Sequence, residues 1–167
     1  MSGIVVLSGD PRPDSHTARL ANGIGSGAAQ LIGARPPEVF DLADYGHRLL
    51  VPDDTDVIRA VAAVRDADLL VIATPEYNGT FTGVLKVFLD RFPSGGLAGR
   101  PTLSVVTSST PGRAEVAESH LHALLADLGA TTPGPGLAVA EDQLTRPDVL
   151  ISGYLDRVRS ALGVPSH

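Results

Sequence analysis

Residues 4–17 read IVVLSGDPRPDSHT, and this stretch decides the fold of the chain. Its first four residues are all apolar, which predicts a strand buried on both faces of a parallel sheet. Pro11 and Pro13 hold the following backbone extended and prevent a helix from beginning before the region of Ser15. The stretch therefore predicts a buried strand, a turn and a helix in direct succession.

The turn carries groups that suit a phosphate monoester. A helix that begins near Ser15 presents free backbone N–H groups and the positive end of its dipole to whatever lies above the strand. The hydroxyls of Ser15 and Thr17 and the guanidinium of Arg12 add further donors. Alternatively, Ser15 only caps the helix, as Ser does at many strand-to-helix turns. The turn alone leaves both interpretations open.

The same alternation of strand and helix recurs along the chain. Apolar runs predict strands at 4–7, 39–42, 69–74, 103–107 and 136–140, and helical patterns follow at 15–31, 55–66, 82–91, 114–128 and 147–162. Five such units predict one doubly wound α/β domain over residues 1–167, with a parallel sheet of strand order 2-1-3-4-5 and helices on both faces. The order reverses between strands 1 and 3, so the predicted crevice lies above their carboxyl ends, at the opening turn.

The composition argues against several classes of function. The 167 residues include no cysteine, which excludes disulfides, cysteine-ligated metals and a catalytic thiol, and the five histidines lack the spacing of a helical zinc site. The formal net charge is −6 without a basic run, so we expect no nucleic-acid or anionic-membrane partner. With neither a signal segment nor a membrane-length apolar run, we expect a cytoplasmic protein.

One glycine-rich segment matches a dinucleotide-binding pattern by chance. Residues 23–28 read GIGSGA and fit G-x-G-x-x-A, but they lie far inside the first predicted helix instead of directly after a strand. We therefore expect these glycines to allow close packing of the helix.

Two further loops are expected at the same edge of the sheet as the opening turn. Residues 74–83, TPEYNGTFTG, follow strand 3, and residues 107–113, TSSTPGR, follow strand 4. Because the carboxyl ends of strands 1, 3 and 4 are neighbours in the predicted order, these loops would line one cleft with the turn.

The motifs at this edge resemble those of the NADPH-dependent FMN reductase family. The resemblance lies in residues 9–12 (GDPR) with Ser15 and Thr17, then in residues 74–78 (TPEYN) and 85–90 (LKVFLD), and it extends from the first strand to the fourth helix. It implies a flavodoxin-like fold, FMN as cofactor and NADPH or NADH as hydride donor. It also implies that the turn binds the FMN phosphate and that the other two loops lie against the isoalloxazine ring. The residues so implied are Gly9, Arg12, Ser15, Thr17, Pro75, Glu76, Tyr77, Asn78, Thr107, Ser108 and Gly112.

Several of these side chains have other interpretations. An alternative interpretation makes Tyr77 and Phe81 loop anchors or subunit contacts and makes Glu76 a solvated charge. Lys86 and Asp90 stand four residues apart on a predicted helix, which favours a structural ion pair at the surface or at an interface over a place in the site.

Asp10 departs from the family pattern, in which many members have serine after the turn glycine. Its carboxylate would repel a phosphate dianion if it faced inward, so it must point away, cap a backbone N–H or weaken the retention of FMN. A weak site would fit a protein that uses flavin as a substrate as readily as a prosthetic group, and the sequence leaves this choice open. Residues 108–111 depart as well, because relatives are often richer in glycine there.

The resemblance implies NAD(P)H-dependent reduction of FMN, in which the flavin carries the chemistry and no side chain acts as acid or nucleophile. Reduced FMN would then be available to a partner monooxygenase. The alternatives are an FMN-bound quinone, chromate or azo reductase and, from another class, a flavodoxin-like electron carrier that uses no nicotinamide. A homodimer or homotetramer is also implied, to which the apolar residues 81–89 would contribute unless they form a core helix.

Overall fold

The computed structural model describes residues 3–165 and contains a single five-stranded sheet within them. The strands are β1 Ile4–Ser8, β2 Glu38–Asp41, β3 Leu69–Pro75, β4 Thr102–Ser108 and β5 Leu137–Ala140. The α-helices are α1 His16–Ile32, α2 Thr55–Asp66, α3 Gly83–Leu89, α4 Pro111–Asp127 and α5 Pro147–Val158. All neighbouring strands pair in parallel in the order β2-β1-β3-β4-β5, which confirms the predicted topology.

The boundaries differ from the predicted ones at several helix ends. Helix α4 begins at Pro111, three residues before the predicted start, because proline at the first helical position sacrifices no hydrogen bond. Helices α3 and α5 end earlier than predicted, and a separate 3₁₀ turn, Ser160–Leu162, follows α5. The sequence patterns also missed the 3₁₀ turns Leu42–Asp44, Gly46–Leu50 and Glu141–Thr145.

The sheet is covered on both faces, as its uninterrupted apolar strands require. Side chains of β1 alternate, so that Val5 and Leu7 join a core with α2, α3 and α4, while Ile4 and Val6 join a second core with α1 and α5. No described helix is both long and apolar enough to cross a bilayer.

The glycines of α1 allow this helix to approach the sheet and α5 closely. A Cβ atom on Gly25 would lie 2.4 Å from Val6 Cγ2, and one on Gly27 would lie 2.5 Å from Leu155 Cδ1. Both distances are far below van der Waals contact. The expectation that the GIGSGA segment serves helix packing is therefore confirmed.

Helix α3 is partly a core element. Leu85, Phe88 and Leu89 are buried in the core beneath the sheet, whereas Lys86 and Asp90 form the predicted exposed pair, with Nζ 2.6 Å from Oδ1. The apolar character of residues 81–89 is thus explained in large part by burial within the chain. Their contribution to a homo-oligomer stays a prediction.

Candidate functional site

The opening turn leads directly from β1 into the capped N-terminus of α1. Ser15 Oγ accepts a hydrogen bond from the backbone N–H of Ala18 at 3.0 Å, so Ser15 is the N-cap. The cap uses only a lone pair of the hydroxyl, and its O–H remains a donor. The backbone N–H groups of His16 and Thr17 have no acceptor inside the helix, as at any helix start. Capping and anion binding are therefore compatible here.

Asp10 and Arg12 form a bidentate ion pair within the turn. Arg12 Nε and Nη2 donate to Asp10 Oδ1 and Oδ2, each at 3.0 Å, and the backbone N–H of Arg12 also donates to Oδ1 at 3.0 Å. The carboxylate is fully buried, whereas the Arg12 side chain is 61% exposed. Of the three expected fates of Asp10, the structure thus shows the one in which it caps a backbone N–H.

The ionisation of Asp10 follows from these contacts. Burial alone would raise the pKa of this carboxyl, but the hydrogen bonds and positive charge of Arg12 outweigh burial and hold the pKa below its ordinary value. Asp10 is therefore a carboxylate at neutral pH, and it neutralises the one guanidinium of the turn.

Thr82 ties the turn to the start of α3. Its hydroxyl donates to the carbonyl oxygen of Gly9 at 2.6 Å and also caps α3 by accepting from the backbone N–H of Leu85. Gly9 itself has no room for a side chain, because a Cβ atom would lie 2.7 Å from Leu85 Cβ. The family resemblance did not include Thr82, although a threonine directly before a glycine and an apolar helix is a recognisable N-cap signal.

Thr17 and Thr107 connect the turn to the end of β4. Their hydroxyl oxygens are 2.8 Å apart, and both residues are buried. The end of β4 also contacts the loop after β3 through its backbone, since the N–H of Glu76 donates to the carbonyl oxygen of Thr107 at 2.7 Å. Thr107 is therefore a buried connector at the end of a strand, and its place in the flavin site stays a prediction.

Glu76 joins the loop after β3 to the start of α4. Its carboxylate accepts from Ser108 Oγ at 2.9 Å, from Arg113 Nε and Nη2 at 3.0 and 2.8 Å, and from the backbone N–H of Gly79. The Glu76 side chain is only 5% exposed, so its interpretation as a solvated charge is wrong. The Arg113 guanidinium, with the other donors, lowers the pKa of Glu76 to about 2.

Tyr77 lies on a tight turn at the rim of the crevice. Asn78 and Gly79 have φ values of 51° and 91°, and the backbones of Tyr77 and Thr80 exchange two hydrogen bonds, the arrangement of a type I′ turn. The Tyr77 side chain is among the exposed large hydrophobic groups, at 39% exposure. The structure therefore gives the ring no anchoring role in the core of the chain.

The loop after β4 is shorter than the predicted span of residues 107–113. Thr107 and Ser108 belong to β4, and Gly112 lies in the first turn of α4. Thr110 is the N-cap residue but makes no side-chain cap. The first N–H groups of α4 therefore lie at the same edge of the sheet as those of α1. They receive no side-chain acceptor from the N-cap residue Thr110.

This donor set fits FMN. Two helix N-termini, the Ser15 hydroxyl and the remaining N–H groups of Arg12 suit a phosphate and the polar edge of a ring. Ser8 Oγ, one residue before the turn, is the single buried side-chain N or O atom in the described part of the chain without a hydrogen-bond partner. A hydroxyl in this state at the end of β1 is expected where a ligand or water completes the site.

Comparisons with known proteins identify the family of the chain. The family model described as NADPH-dependent FMN reductase matches residues 3–144. The chain is 27% identical over 165 residues to the NADH-dependent FMN reductase SfnE of Pseudomonas putida. This alignment covers 95% of this chain and 87% of that protein. It is 34% identical over 135 residues to a 2-hydroxy-1,4-benzoquinone reductase of Burkholderia sp, covering 75% and 70% of the two chains.

A solved structure extends the likeness to three dimensions. The apo form of an NADH:FMN oxidoreductase, EMOB, superposes with a TM-score of 0.80 over 100% of this chain and 92% of that chain, at 26% identity. This neighbour, like the strand order, confirms the predicted flavodoxin-like fold. Since the family model matches most of its length, the chain belongs to the NADPH-dependent FMN reductase family, whose members are NAD(P)H-dependent oxidoreductases that use FMN.

Proposed function

We propose that this protein transfers hydride from NAD(P)H to FMN, with the FMN phosphate at the turn of residues 9–17 and the ring between the loops that follow β3 and β4. When bound, FMN supplies the ring that accepts the hydride. Arg12, Ser15 and Thr17 would hold the phosphate together with the first N–H groups of α1. Residues 75–78 would lie against the ring, and residues 107, 108 and 112 would border its other edge.

One observation carries this proposal, namely that three loops are tied into one crevice by buried and partly buried hydrogen bonds. The Thr82–Gly9, Thr17–Thr107 and Glu76–Ser108 hydrogen bonds join every pair of neighbouring loops at this edge. A preorganised crevice positions two bound molecules without reorganisation at the moment of reaction. Such positioning is the main task of a protein whose cofactor performs the chemistry.

The charges of the crevice also suit a reaction without a protein acid or base. Its two buried carboxylates, Asp10 and Glu76, are each held in a bidentate pair with an arginine. Both have lowered pKa values and stay ionised at neutral pH. Backbone N–H groups of the loops would then stabilise negative charge on the ring edge.

We propose further that FMN is an exchangeable substrate and that its reduced form leaves the site for a partner monooxygenase. The paired guanidinium of Arg12 supports exchange, because an arginine already neutralised by Asp10 binds a dianion less tightly than a free one. A coupled assay with a flavin-dependent monooxygenase measures whether reduced FMN is released. The assay is run with the two proteins mixed and with a dialysis membrane between them, and monooxygenase activity across the membrane would show that reduced FMN leaves the site.

The central experiment is a steady-state assay on protein whose visible spectrum is recorded as purified. We expect oxidation of NADH or NADPH that depends on added FMN and saturates with it. An absence of oxidation with both nicotinamides and added FMN would contradict the proposal. Oxidation without added FMN, by protein that is yellow as purified, would instead show FMN to be a prosthetic group.

A second candidate function is reduction of a quinone by FMN that stays bound. It is favoured by the 34% identity to the 2-hydroxy-1,4-benzoquinone reductase. This function would be selected if the purified protein contains one FMN per chain and reduces a benzoquinone faster than it reduces added free FMN. The electron-carrier alternative predicts that flavin bound to the protein is not reduced by either nicotinamide.

A further inference from the structure

The acidic surroundings of the phosphate turn are unusual for a site that binds a dianion. Three carboxylates lie in or beside the turn: Asp10, which is paired with Arg12, Asp14 at φ 52°, and Asp41 at the end of neighbouring β2. Burial raises the pKa of Asp41, and repulsion from nearby carboxylates, Asp10 and Asp14 among them, adds to the rise. The carboxylates are thus close enough to influence one another electrostatically.

The geometry of Arg12 limits what remains for a phosphate. Two of its five N–H groups, on the Nε–Nη2 edge of the guanidinium, are committed to Asp10, so a phosphate has only the N–H groups of the Nη1–Nη2 edge. The three remaining N–H groups still donate, but the positive charge behind them is cancelled by a buried partner. What attracts an anion at this turn is then the start of α1 and the Ser15 hydroxyl.

We propose that Asp10 is a specificity-determining residue that removes most of the preference for a phosphorylated flavin, so that the protein reduces riboflavin with an efficiency close to that for FMN. This inference rests on the proposed function. Each turnover moves two electrons and one proton as hydride from NAD(P)H to riboflavin and takes a second proton from solvent. The products are dihydroriboflavin and NAD(P)⁺, and no further reactant is needed.

The test compares two flavins that differ only by the phosphate, on three forms of the full chain. Asp10→Asn removes the charge but keeps an oxygen that can accept from the Arg12 N–H. Asp66→Asn is the matched control, because Asp66 forms the same bidentate pair with Arg65 in an exposed position at the C-terminal end of α2, away from the carboxyl ends of the strands. Dissociation constants come from quenching of flavin fluorescence, and kcat/KM from nicotinamide oxidation at saturating NAD(P)H.

We expect the unmodified protein to have kcat/KM values for FMN and riboflavin within about threefold of each other. Asp10→Asn should increase the preference for FMN over riboflavin about tenfold, because one charge-assisted contact to the phosphate is gained. The increase should be seen both in the ratio of binding affinities and in the ratio of kcat/KM values. Asp66→Asn should leave the ratio unchanged. Raised ionic strength should reduce the preference that Asp10→Asn gains.

Two results would overturn the inference. One is a preference of the unmodified protein for FMN that exceeds the expected range of about threefold. The other is an Asp10→Asn ratio that stays constant or falls, which would mean that Asp10 positions Arg12 for the phosphate. Because binding is measured separately, a protein that binds both flavins but reduces neither would contradict the proposed function and still decide the specificity. Should Asp10→Asn fail to fold, Asp10→Ser provides the same comparison.

Discussion

Thr17 Oγ1 lies 2.8 Å from Thr107 Oγ1, although 90 positions separate the two residues in the sequence. Thr17 is in the first turn of α1 and Thr107 is near the end of β4, so this bond joins the turn of residues 9–17 to the far side of the crevice. Both hydroxyls are buried, and loss of either leaves the other without this partner. The pair therefore couples the stability of the fold to the geometry of the site.

Thr17→Val tests this coupling. The substitution conserves shape but leaves the Thr107 hydroxyl buried without this partner, which should reduce the free energy of unfolding by about 1–3 kcal/mol. Thr107→Val should have a similar effect, and the double variant should lose less than the sum of the two. Urea denaturation measures all four proteins, and strictly additive losses would show that the hydroxyls do not interact.

The architecture could be predicted from sequence because buried parallel strands leave an unmistakable pattern. The runs at Ile4 and Leu69 are apolar without alternation, a pattern that a two-sided sheet requires and an amphipathic strand does not show. Helix ends were harder, since the Pro111–Gly112 pair favours a turn in isolation but begins α4 in the structure. Proline is tolerated at both kinds of position, and only the packed helix decides between them.

The meeting of the three loops at one edge of the sheet could be predicted, but the contacts between them could not. Local chemistry predicts the turn of residues 9–17. The orientation of Asp10 could not be predicted, because it depends on which groups donate hydrogen bonds to the buried carboxylate. Glu76 pairs with Arg113, from which it is separated by 37 positions in the sequence, and no local spacing indicates such a pair. Burial distinguishes the two interpretations of a charged residue, and burial is a property of the assembled fold.

Glu76 should make the stability of the protein dependent on acid pH. Its pKa is about 2 in the folded protein against an ordinary value of 4.5, so the folded state binds the proton less readily than the unfolded chain. The resulting stabilisation is complete above pH 4.5 and is lost as the pH falls toward 2. Thermal unfolding of the unmodified protein and of Glu76→Gln should therefore converge as the pH is lowered through this range.

The control for this experiment is an ion pair on the surface. Glu38→Gln removes the partner of Arg59 in a pair whose side chains are both largely exposed. Exposed pairs contribute little to stability, so this variant should differ little from the unmodified protein at any pH. An equal pH dependence for the two variants would contradict the assignment of the effect to Glu76.

Gly9→Ala should disturb the turn through packing. The added Cβ would meet Leu85 Cβ at 2.7 Å, and shortening Leu85 to alanine would not remove that atom. We expect a loss of about 1–3 kcal/mol in the free energy of unfolding and a raised KM for FMN. Leu85→Ala should fail to rescue the variant.

The matched substitution is Gly83→Ala at the start of α3, where a Cβ atom would meet nothing within 4 Å. It should be neutral or slightly stabilising, because alanine favours helix over glycine. A Gly9→Ala protein as stable as Gly83→Ala would show that β1 and α3 separate readily at this point.

Gly79→Ala should affect both the fold and the flavin site. Gly79 has φ of 91°, in a region that costs an alanine about 1–2 kcal/mol, and its N–H is one of the donors to Glu76. Gly95→Ala introduces a similar strain at φ 71° on the loop between α3 and β4, where a Cβ atom also has free space. Both variants should lose comparable thermal stability, but only Gly79→Ala should raise the KM for flavin. Equal KM values for the two would place the Tyr77–Thr80 turn outside the flavin site.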